Sequence, residues 1–524
     1  MLKIWLLVVV VAIGFHLGGT PLLDADEGRN AEVAREMAET NDYVMPRLNG
    51  LPYLDKPIVY FAVTAAFMEV LGPTELAARL PAFLFTLATA SVLFWFARRI
   101  GLDPYVAAIA FLAMPLTMAF ARIVIFDSAL TFFVVVSLVA FHRAIEESNR
   151  RWSVLAWAAM GIAMITKGPV TFVLVLFVVL PYAWRRKALA VLFPLVGIVL
   201  FAALIAPWVW GVTQVVPEFL RYIVVTETAE RMATKALQRT GPPWYFVPYL
   251  LAGALPWSMV ALFSWRSFGK RDDTTFFLLL WLVLPLAFFT ISQSKRPQYI
   301  LPLMPAIALL VARIWPEART RGAAIVTVLF GGVLLAAPLF LHRTKMKPEI
   351  AGVADDTALA LGVAFALGGL AALFARRREL VLIGLTIPVI AVPALANPLM
   401  HALGERRSAK SFAAELDPHL TPDTEVIGVE AFTGSMAFYL RRPITIVSED
   451  GSELTSNYIL RRYARYVGRP ASPLEPLRYF ERSLGSMEPR VYVLHRKDAR
   501  RRTLLERRGW RVVADNVHHL AYGR

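Results

Sequence analysis

The sequence predicts an integral membrane all-α bundle of about 13 transmembrane helices, followed by a C-terminal soluble α/β domain. The 524 residues are 57% hydrophobic and only 18% charged, whereas about a quarter of the residues of a soluble domain are charged. The apolar residues form blocks close to the ~20 residues that cross a bilayer as a helix. From about Gly404 the composition becomes polar, and short β-like runs alternate with helical stretches.

The charged residues indicate how these spans are oriented across the membrane, because cytoplasmic loops are enriched in Lys and Arg. The stretch Pro57–Gly72 is apolar but short and carries Glu69. We therefore predict that it lies at the interface as a juxtamembrane helix and does not cross. The strongly basic clusters then all fall on one side: Lys3, Arg98-Arg99, Arg150-Arg151, Arg185–Lys187, Arg266–Arg271, Arg313 and Arg376–Arg378.

This topology divides the chain into two predicted domains. Residues 1–400 form the transmembrane domain, with outer juxtamembrane helices at about 24–72, and residues 404–524 form a soluble domain on the outer side. The third predicted span runs over about Pro104–Phe120. The opening run, Leu2 to Leu23, lacks a small-x-small cleavage site, so we interpret it as the first span and not as a signal peptide.

Composition excludes several classes of site. The chain has no Cys, which excludes disulfides and thiolate chemistry. The net charge of +16 is explained by the positive-inside bias and by anionic lipid, so no nucleic-acid partner is expected. His16, His142, His342 and His401 are scattered without metal-ligand spacing.

Carboxylates on the outer side are the first candidates for chemistry. Asp26 and Glu27 follow the first span, where they fit either a helix N-terminus or a pair able to orient an acceptor or act as a base. Asp127 lies between the third and fourth predicted spans. A carboxylate at the bilayer edge is costly if it faces lipid, so Asp127 either ends a helix or belongs to a site.

Cations on the same outer side are the second group of candidates. Lys56 precedes the juxtamembrane helix, where it could snorkel or hold a lipid phosphate. Lys167, in the turn Thr166–Pro169, and the pair Lys295-Arg296 lie where cations are disfavoured. An anionic ligand, a phosphate in particular, fits them. The long loop Gly211–Val247 fits either a lid or a solvated connection.

Several motifs resemble one family. The runs DADEGRNAEVAREM, PRLNGLPYLDKP and LAARLPA, with the later ITKGP and KRPQYILPLMPAIALL, are similar to the lipid-A 4-amino-4-deoxy-L-arabinose transferases. These are a bacterial branch of the GT-C glycosyltransferases, related to protein O-mannosyltransferases. The resemblance covers roughly residues 1–400. It implies a GT-C bundle that transfers a sugar from undecaprenyl phosphate with inversion at the anomeric carbon.

The resemblance also assigns roles to residues. The implied catalytic carboxylates are Asp26 and Asp127, and Glu27, which forms a carboxylate pair with Asp26, is the third predicted catalytic residue. The implied contacts to the donor phosphate and lipid are Arg29, Tyr53, Lys56, Lys167, Arg231 and Tyr299. The family usually carries Glu where this chain has Asp55, and His in a loop that has none here between residues 211 and 247. No cofactor is therefore predicted, and Asp55 is the sole candidate ligand for a divalent metal.

The expected partners follow from the same resemblance. They are an undecaprenyl-phosphate sugar donor, lipid A or another periplasmic acceptor, and membrane lipid. The expected location is the bacterial inner membrane, with the active site and the C-terminal domain facing the periplasm. Two alternatives stay open: a polyprenyl-phosphate-sugar-dependent transferase acting on protein or another glycan, and a lipid-linked sugar transporter. A transporter needs polar groups on both membrane faces, whereas the acids here lie on one.

Overall fold

A computed structural model describes residues 1–223, 241–269, 272–341 and 348–524. The chain forms two compact units, each made of two segments. The helical unit contains Met1–Leu17 and Leu80–Leu399, and the sheet unit contains Gly18–Arg79 and Met400–Arg524. The sequence analysis divided the chain near residues 400–404. The structure instead groups the segment after the first helix with the C-terminal residues.

Apolar helices dominate the described residues. Eight of them are long and apolar enough to cross a membrane, or nine if the bent pair Phe246–Gly253 and Trp257–Phe263 is one span. The eight are Glu75–Arg99, Asp127–Glu147, Leu195–Val215, Asp273–Ile291, Pro297–Glu317, Thr320–Phe340, Ile350–Phe374 and Arg378–Leu395. Shorter apolar helices cover Leu2–Gly14, Val59–Leu71 and Val170–Arg185. A multi-pass helical protein is confirmed, and the count of about 13 spans stays a prediction.

The third predicted span consists of two helices, Pro104–Leu112 and Pro115–Phe120. Asp103 caps the first helix by accepting hydrogen bonds from the N–H groups of Tyr105 and Val106. The break falls at Met114, which is extended, with φ −90° and ψ 130°. The residue before a proline disfavours the helical conformation, and Pro115 has no N–H to donate. The proline therefore ends one helix and begins the next.

Further helices complete the helical unit. They are Arg150–Lys167 and Phe219–Arg221, with 3-10 turns at Leu189–Val191 and Trp265–Gly269. Within the listed spans, Pro297–Glu317 consists of helix Met304–Ile314 between the 3-10 turns Pro297–Leu303 and Trp315–Glu317, and Thr320–Phe340 ends in the short helix Pro338–Leu341. The indole N–H of buried Trp281 donates to the carbonyl of Pro302 at 2.9 Å. This bond satisfies a polar group that lipid would leave unpaired, and it fixes the 3-10 turn that carries Tyr299.

The C-terminal segment folds around a six-stranded sheet, which confirms the predicted α/β domain. Its strands are β3 Glu425–Val429, β4 Thr445–Ser448, β5 Leu474–Pro476, β6 Arg490–His495, β7 Arg511–Asp515 and β8 His519–Gly523. Their order in the sheet is β5-β4-β3-β6-β8-β7. Strands β5, β4, β3 and β6 are parallel, and β8 runs antiparallel to both of its neighbours, β6 and β7. The two short strands of the hairpin described below, Arg47–Leu48 and Leu51–Pro52, are β1 and β2.

Short helices connect these strands and cover the sheet. They are Asn397–Arg407, which begins in the helical unit, Lys410–Leu416, Gly434–Leu440, Asn457–Arg461, Tyr463–Tyr466, Arg478–Ser483 and Ala499–Arg507, with 3-10 turns at Asp417–His419 and Ser452–Leu454. Buried Ile427, Val447 and Tyr492 share one hydrophobic core. The parallel strands thus have the apolar burial that such strands require.

The N-terminal part of the sheet unit begins with helix Asp26–Thr40, which packs against helix Gly434–Leu440. The contact is close because glycines occupy it on both sides. A Cβ at Gly28 would overlap Ser435, and a Cβ at Gly434 would overlap the backbone of Arg29. A side chain at either position would force the two helices apart.

The tight hairpin β1–β2 is joined to the sheet by Asn49. Asn49 and Gly50 have φ of 51° and 79°, the conformation that an Asn-Gly turn of a two-residue hairpin adopts. The Asn49 amide donates to the carbonyl of Ile444 at 2.7 Å and accepts from its N–H at 2.9 Å. Asn49 therefore pairs with the backbone just before β4 as a neighbouring strand would.

A half-buried carboxylate closes the same hairpin. Glu36, on helix Asp26–Thr40, accepts hydrogen bonds from the N–H groups of Asn49 and Gly50. Burial, together with the charge of nearby Glu32, raises the pKa of Glu36 to about 8. Because this value lies above the ordinary 4.5, protonation favours the folded state. The stability due to Glu36 is complete below about pH 4.5 and falls as the pH rises through about 8.

Glu36→Gln should therefore flatten the pH dependence of unfolding. The amide stays neutral at every pH and keeps one oxygen as acceptor. We expect the drop in Tm of the purified protein in detergent between pH 5 and pH 8.5 to be smaller in Glu36→Gln than in the wild type. Glu481→Gln, which removes an exposed carboxylate, is the matched control. An unchanged drop in Glu36→Gln would contradict the assignment.

Candidate active site

The proposed site residues form one cluster in each unit. Asp26, Glu27, Arg29, Tyr53, Asp55 and Lys56 belong to the sheet unit, whereas Asp127, Lys167 and Tyr299 belong to the helical unit. Arg231 lies outside the described residues.

In the sheet unit, Asp26 and Arg29 present an accessible ion pair. They lie one turn apart on helix Asp26–Thr40, with 2.6 Å between the guanidinium and the carboxylate, and the Asp26 side chain is 41% exposed. Arg29 also donates to the hydroxyl of Thr455 at 2.7 Å and to its carbonyl at 3.0 Å, and its guanidinium lies 5.7 Å from the centre of the Tyr53 ring. Asp26 is therefore a carboxylate open to a ligand, beside a cation whose position is fixed.

Glu27 has a different environment from its neighbour Asp26. Its carboxylate oxygens accept two hydrogen bonds of 3.0 Å from the guanidinium of Arg79, and both side chains are 4% exposed. Arg79 also donates to the carbonyls of Thr20 and Pro21. The catalytic role expected for Glu27 stays a prediction. In the structure, its carboxylate belongs to a buried ion pair that holds the chain before helix Asp26–Thr40.

Asp55 caps a helix of the C-terminal segment. Its two carboxylate oxygens accept the N–H groups of Asn457 and Tyr458, both at 2.9 Å, at the start of helix Asn457–Arg461. The Lys56 ammonium donates to the Asp55 carbonyl. In the ranges that the structure describes, no group of three or more His, Asp or Glu side chains could hold a metal ion. In the described residues Asp55 thus serves as a helix cap, and its role as a metal ligand stays a prediction.

Asp24, next to this cluster, is buried against the C-terminal segment. Its carboxylate accepts hydrogen bonds from the N–H and hydroxyl of Ser435. Burial raises the pKa of Asp24 although both hydrogen bonds oppose the shift. Asp24 thus fixes the chain before Asp26 to helix Gly434–Leu440.

In the helical unit, Asp127, Lys167 and Tyr299 lie together. Asp127 begins helix Asp127–Glu147, is only 2% exposed and forms an ion pair with Lys167. The Lys167 ammonium also lies 5.1 Å from the centre of the Tyr299 ring. Helix Arg150–Lys167 ends at this lysine because Gly168 adopts φ +94°, which disfavours any other residue. Three segments distant in sequence thus meet at one lysine.

Lys295, which was expected to bind an anion, instead contacts backbone carbonyls. Its ammonium donates to the carbonyls of Thr290 and Ser292, at 2.6 Å and 2.7 Å. These carbonyls lie at the end of helix Asp273–Ile291, where backbone acceptors lack partners within the helix. A cation at a helix C-terminus is favoured, so capping explains Lys295 on the disfavoured side of the membrane.

Sequence analysis missed Arg79 and Thr455, which hold the acidic helix. Arg79 carried one signal, since it is a lone cation near the start of an apolar helix and needs a partner there. Thr455 gave none, because it lies 426 positions from Arg29 in a polar stretch that shows no pattern.

The sequence of this chain is similar to known membrane sugar transferases. Residues 55–210 match the family model described as dolichyl-phosphate-mannose-protein mannosyltransferase. The undecaprenyl phosphate-aminoarabinose arabinosyl transferase 2 of Pseudomonas fluorescens is 30% identical over 340 residues, which is 61% of this chain and 58% of that protein. The Pectobacterium atrosepticum transferase is 29% identical over 391 residues, 71% of this chain and 70% of that protein.

The solved structures extend the match over the whole chain. ArnT from Cupriavidus metallidurans bound to undecaprenyl phosphate superposes with a TM-score of 0.83 at 25% identity, covering 99% of this chain and 97% of that one. Its apo form gives a TM-score of 0.79 at 26% identity and covers 99% and 96%. Together, these matches support the ArnT/GT-C family for this chain.

These matches to transferase sequences and to ArnT structures confirm the resemblance seen in the sequence motifs. In sequence, this chain spans only 58% and 55% of the length of the Pseudomonas fluorescens and Yersinia enterocolitica relatives. The structural match to ArnT includes the C-terminal sheet, because it covers 99% of this chain. The ArnT-like fold therefore extends beyond the roughly 400 residues that the sequence motifs suggested.

Substitutions of the adjacent carboxylates Glu27 and Asp26 should differ in their effect on the stability of the protein. Glu27→Gln leaves the buried Arg79 without its ionic partner, which costs about 3–5 kcal/mol. Asp26→Asn, one residue away, removes a carboxylate that is 41% exposed, and Arg29 keeps its hydrogen bonds to Thr455, so the loss should be smaller. We expect Tm in detergent to fall clearly in Glu27→Gln and to stay close to wild type in Asp26→Asn. Equal effects of the two substitutions would contradict the distinction.

Proposed function

We propose that this protein transfers 4-amino-4-deoxy-L-arabinose from undecaprenyl phosphate to lipid A at the periplasmic face of the inner membrane. The main support for this proposal is the structural match to ArnT bound to undecaprenyl phosphate, with a TM-score of 0.83 over 99% of this chain. The curated relatives are named as undecaprenyl phosphate-aminoarabinose arabinosyl transferases. Lipid A as acceptor rests on the family alone.

Cations would act on the leaving group. As the bond between the anomeric carbon and the phosphate oxygen breaks, the phosphate keeps the electron pair, and positioned cations stabilise its developing charge. Lys167 suits this role because its ammonium is paired with Asp127 and lies 5.1 Å from the centre of the Tyr299 ring. Arg29, Lys56, Arg231 and Tyr53 are the further candidates for donor contacts.

The acceptor oxygen would attack the anomeric carbon from the face opposite the phosphate, which inverts the configuration. A phosphate of lipid A is already anionic and needs little help from a base. Asp26, exposed beside Arg29, would then position the acceptor or the amino group of the sugar. If the acceptor were a hydroxyl, its proton would pass to the carboxylate of Asp26.

Lys167→Ala should impair use of the donor. We expect kcat/KM for the undecaprenyl-linked sugar to fall by about 10²-fold or more, because a positioned charge on the leaving group is lost. Lys167→Arg should restore part of the activity, since it keeps the charge. Lys187→Ala, at an exposed lysine, is the matched control. An unchanged KM and rate in Lys167→Ala would count against the phosphate role.

Asp26→Asn tests the acceptor and the reaction together. Mass spectrometry of lipid A and of undecaprenyl-linked lipids should show a sugar adduct on lipid A in cells making the wild type. The adduct should be absent in cells making Asp26→Asn at equal protein levels. If the donor lipid accumulates and lipid A is unmodified in both strains, lipid A is rejected as acceptor and another glycan or a protein takes its place.

A further inference from the structure

A cavity lies within the sheet unit, apart from the residues proposed for catalysis. It encloses about 170 Å³ between the end of helix Asn397–Arg407 and the start of strand β8. Its lining includes Arg406, Arg407, His518 and His519. This volume is several times the ~30 Å³ that one water molecule occupies, so the cavity has room for a small polyatomic group.

His519 is the unusual member of this lining. The side chain is 5% exposed, and neither ring nitrogen has a hydrogen-bond partner. Burial, together with nearby His495 and His518, lowers the pKa of His519 to about 3. The ring is therefore neutral at pH 7 and carries one N–H donor. A buried donor left unpaired destabilises the folded state, and a bound acceptor would remove that penalty.

The charges around the cavity favour an anion. Arg406 and Arg407 contribute two guanidinium groups, and neither is ion-paired with a carboxylate of any residue that the structure describes. The carboxylate in the lining, Asp24, is already occupied by Ser435. Guanidinium groups are planar donors that suit phosphate oxygens.

We propose that this cavity binds a phosphate group, held by Arg406 and Arg407 and by a hydrogen bond from His519. The group could be free inorganic phosphate or the phosphate of a lipid headgroup, since both present the same oxygens. A metal ion fits poorly, because two guanidinium groups would repel it. The proposal does not depend on the transferase function, which uses other residues.

The eight histidines of the chain allow a direct test. The full-length protein in detergent, labelled with ¹⁵N-histidine, should show a saturable shift of the His519 resonance on addition of inorganic phosphate. His519→Gln assigns that resonance. In Arg406→Gln/Arg407→Gln the apparent Kd should rise at least about tenfold, because charged hydrogen bonds to the phosphate are lost. Arg508→Gln, at an exposed arginine of the same unit, should leave the Kd unchanged.

Lipid nanodiscs separate the two phosphate sources. Phosphatidic acid in place of phosphatidylcholine should shift the same resonance if a headgroup enters the cavity. A response to either probe that is weakened by Arg406→Gln/Arg407→Gln supports the proposal and names the source. Absence of any response, or an equal response in the double variant and in Arg508→Gln, overturns it. The arginines are partly or fully exposed, so their replacement leaves the fold testable by Tm.

Discussion

The construction of the sheet unit depends on one close approach between two helices far apart in sequence. Helix Asp26–Thr40 and helix Gly434–Leu440 pack where each carries a glycine, because a side chain at Gly28 or Gly434 would overlap the opposite helix. Asp24 bonded to Ser435 and Asn49 bonded to Ile444 continue the same contact. The acidic segment after the first helix therefore depends on the C-terminal residues for its position.

This constraint explains how neighbouring carboxylates acquire different environments. With the helix fixed, Glu27 is directed into a buried pair with Arg79, whereas Asp26 stays exposed beside Arg29. The buried pair is costly to break and so holds the helix start in place. An exposed carboxylate on a rigid support is well suited to position a ligand. In the helical unit, Asp127 similarly fixes Lys167 by an ion pair.

Sequence reasoning recovered the features that local pattern determines. The predicted strands Glu425–Val429, Ile444–Val447 and Arg490–Leu494 correspond to β3, β4 and β6 within about one residue. The motifs also identified the family.

What sequence could not provide were partners set by tertiary contact. Asp55 caps a helix more than 400 positions away, and Arg29 is held by Thr455, 426 positions away. The change to a polar composition near residue 404 suggested a separate domain. Composition reports polarity but cannot show that Gly18–Arg79 packs with the C-terminal residues.

The most direct test of this account replaces Gly434 with Ala and compares it with Gly485→Ala. A Cβ at Gly434 would meet the backbone of Arg29, whereas a Cβ at Gly485 would meet only the Arg482 carbonyl at 3.9 Å. Hydrogen–deuterium exchange of the full-length protein should show lost protection across residues 26–40 in Gly434→Ala and wild-type protection in Gly485→Ala. Unchanged protection of residues 26–40 in Gly434→Ala would contradict the dependence of the acidic helix on the C-terminal segment.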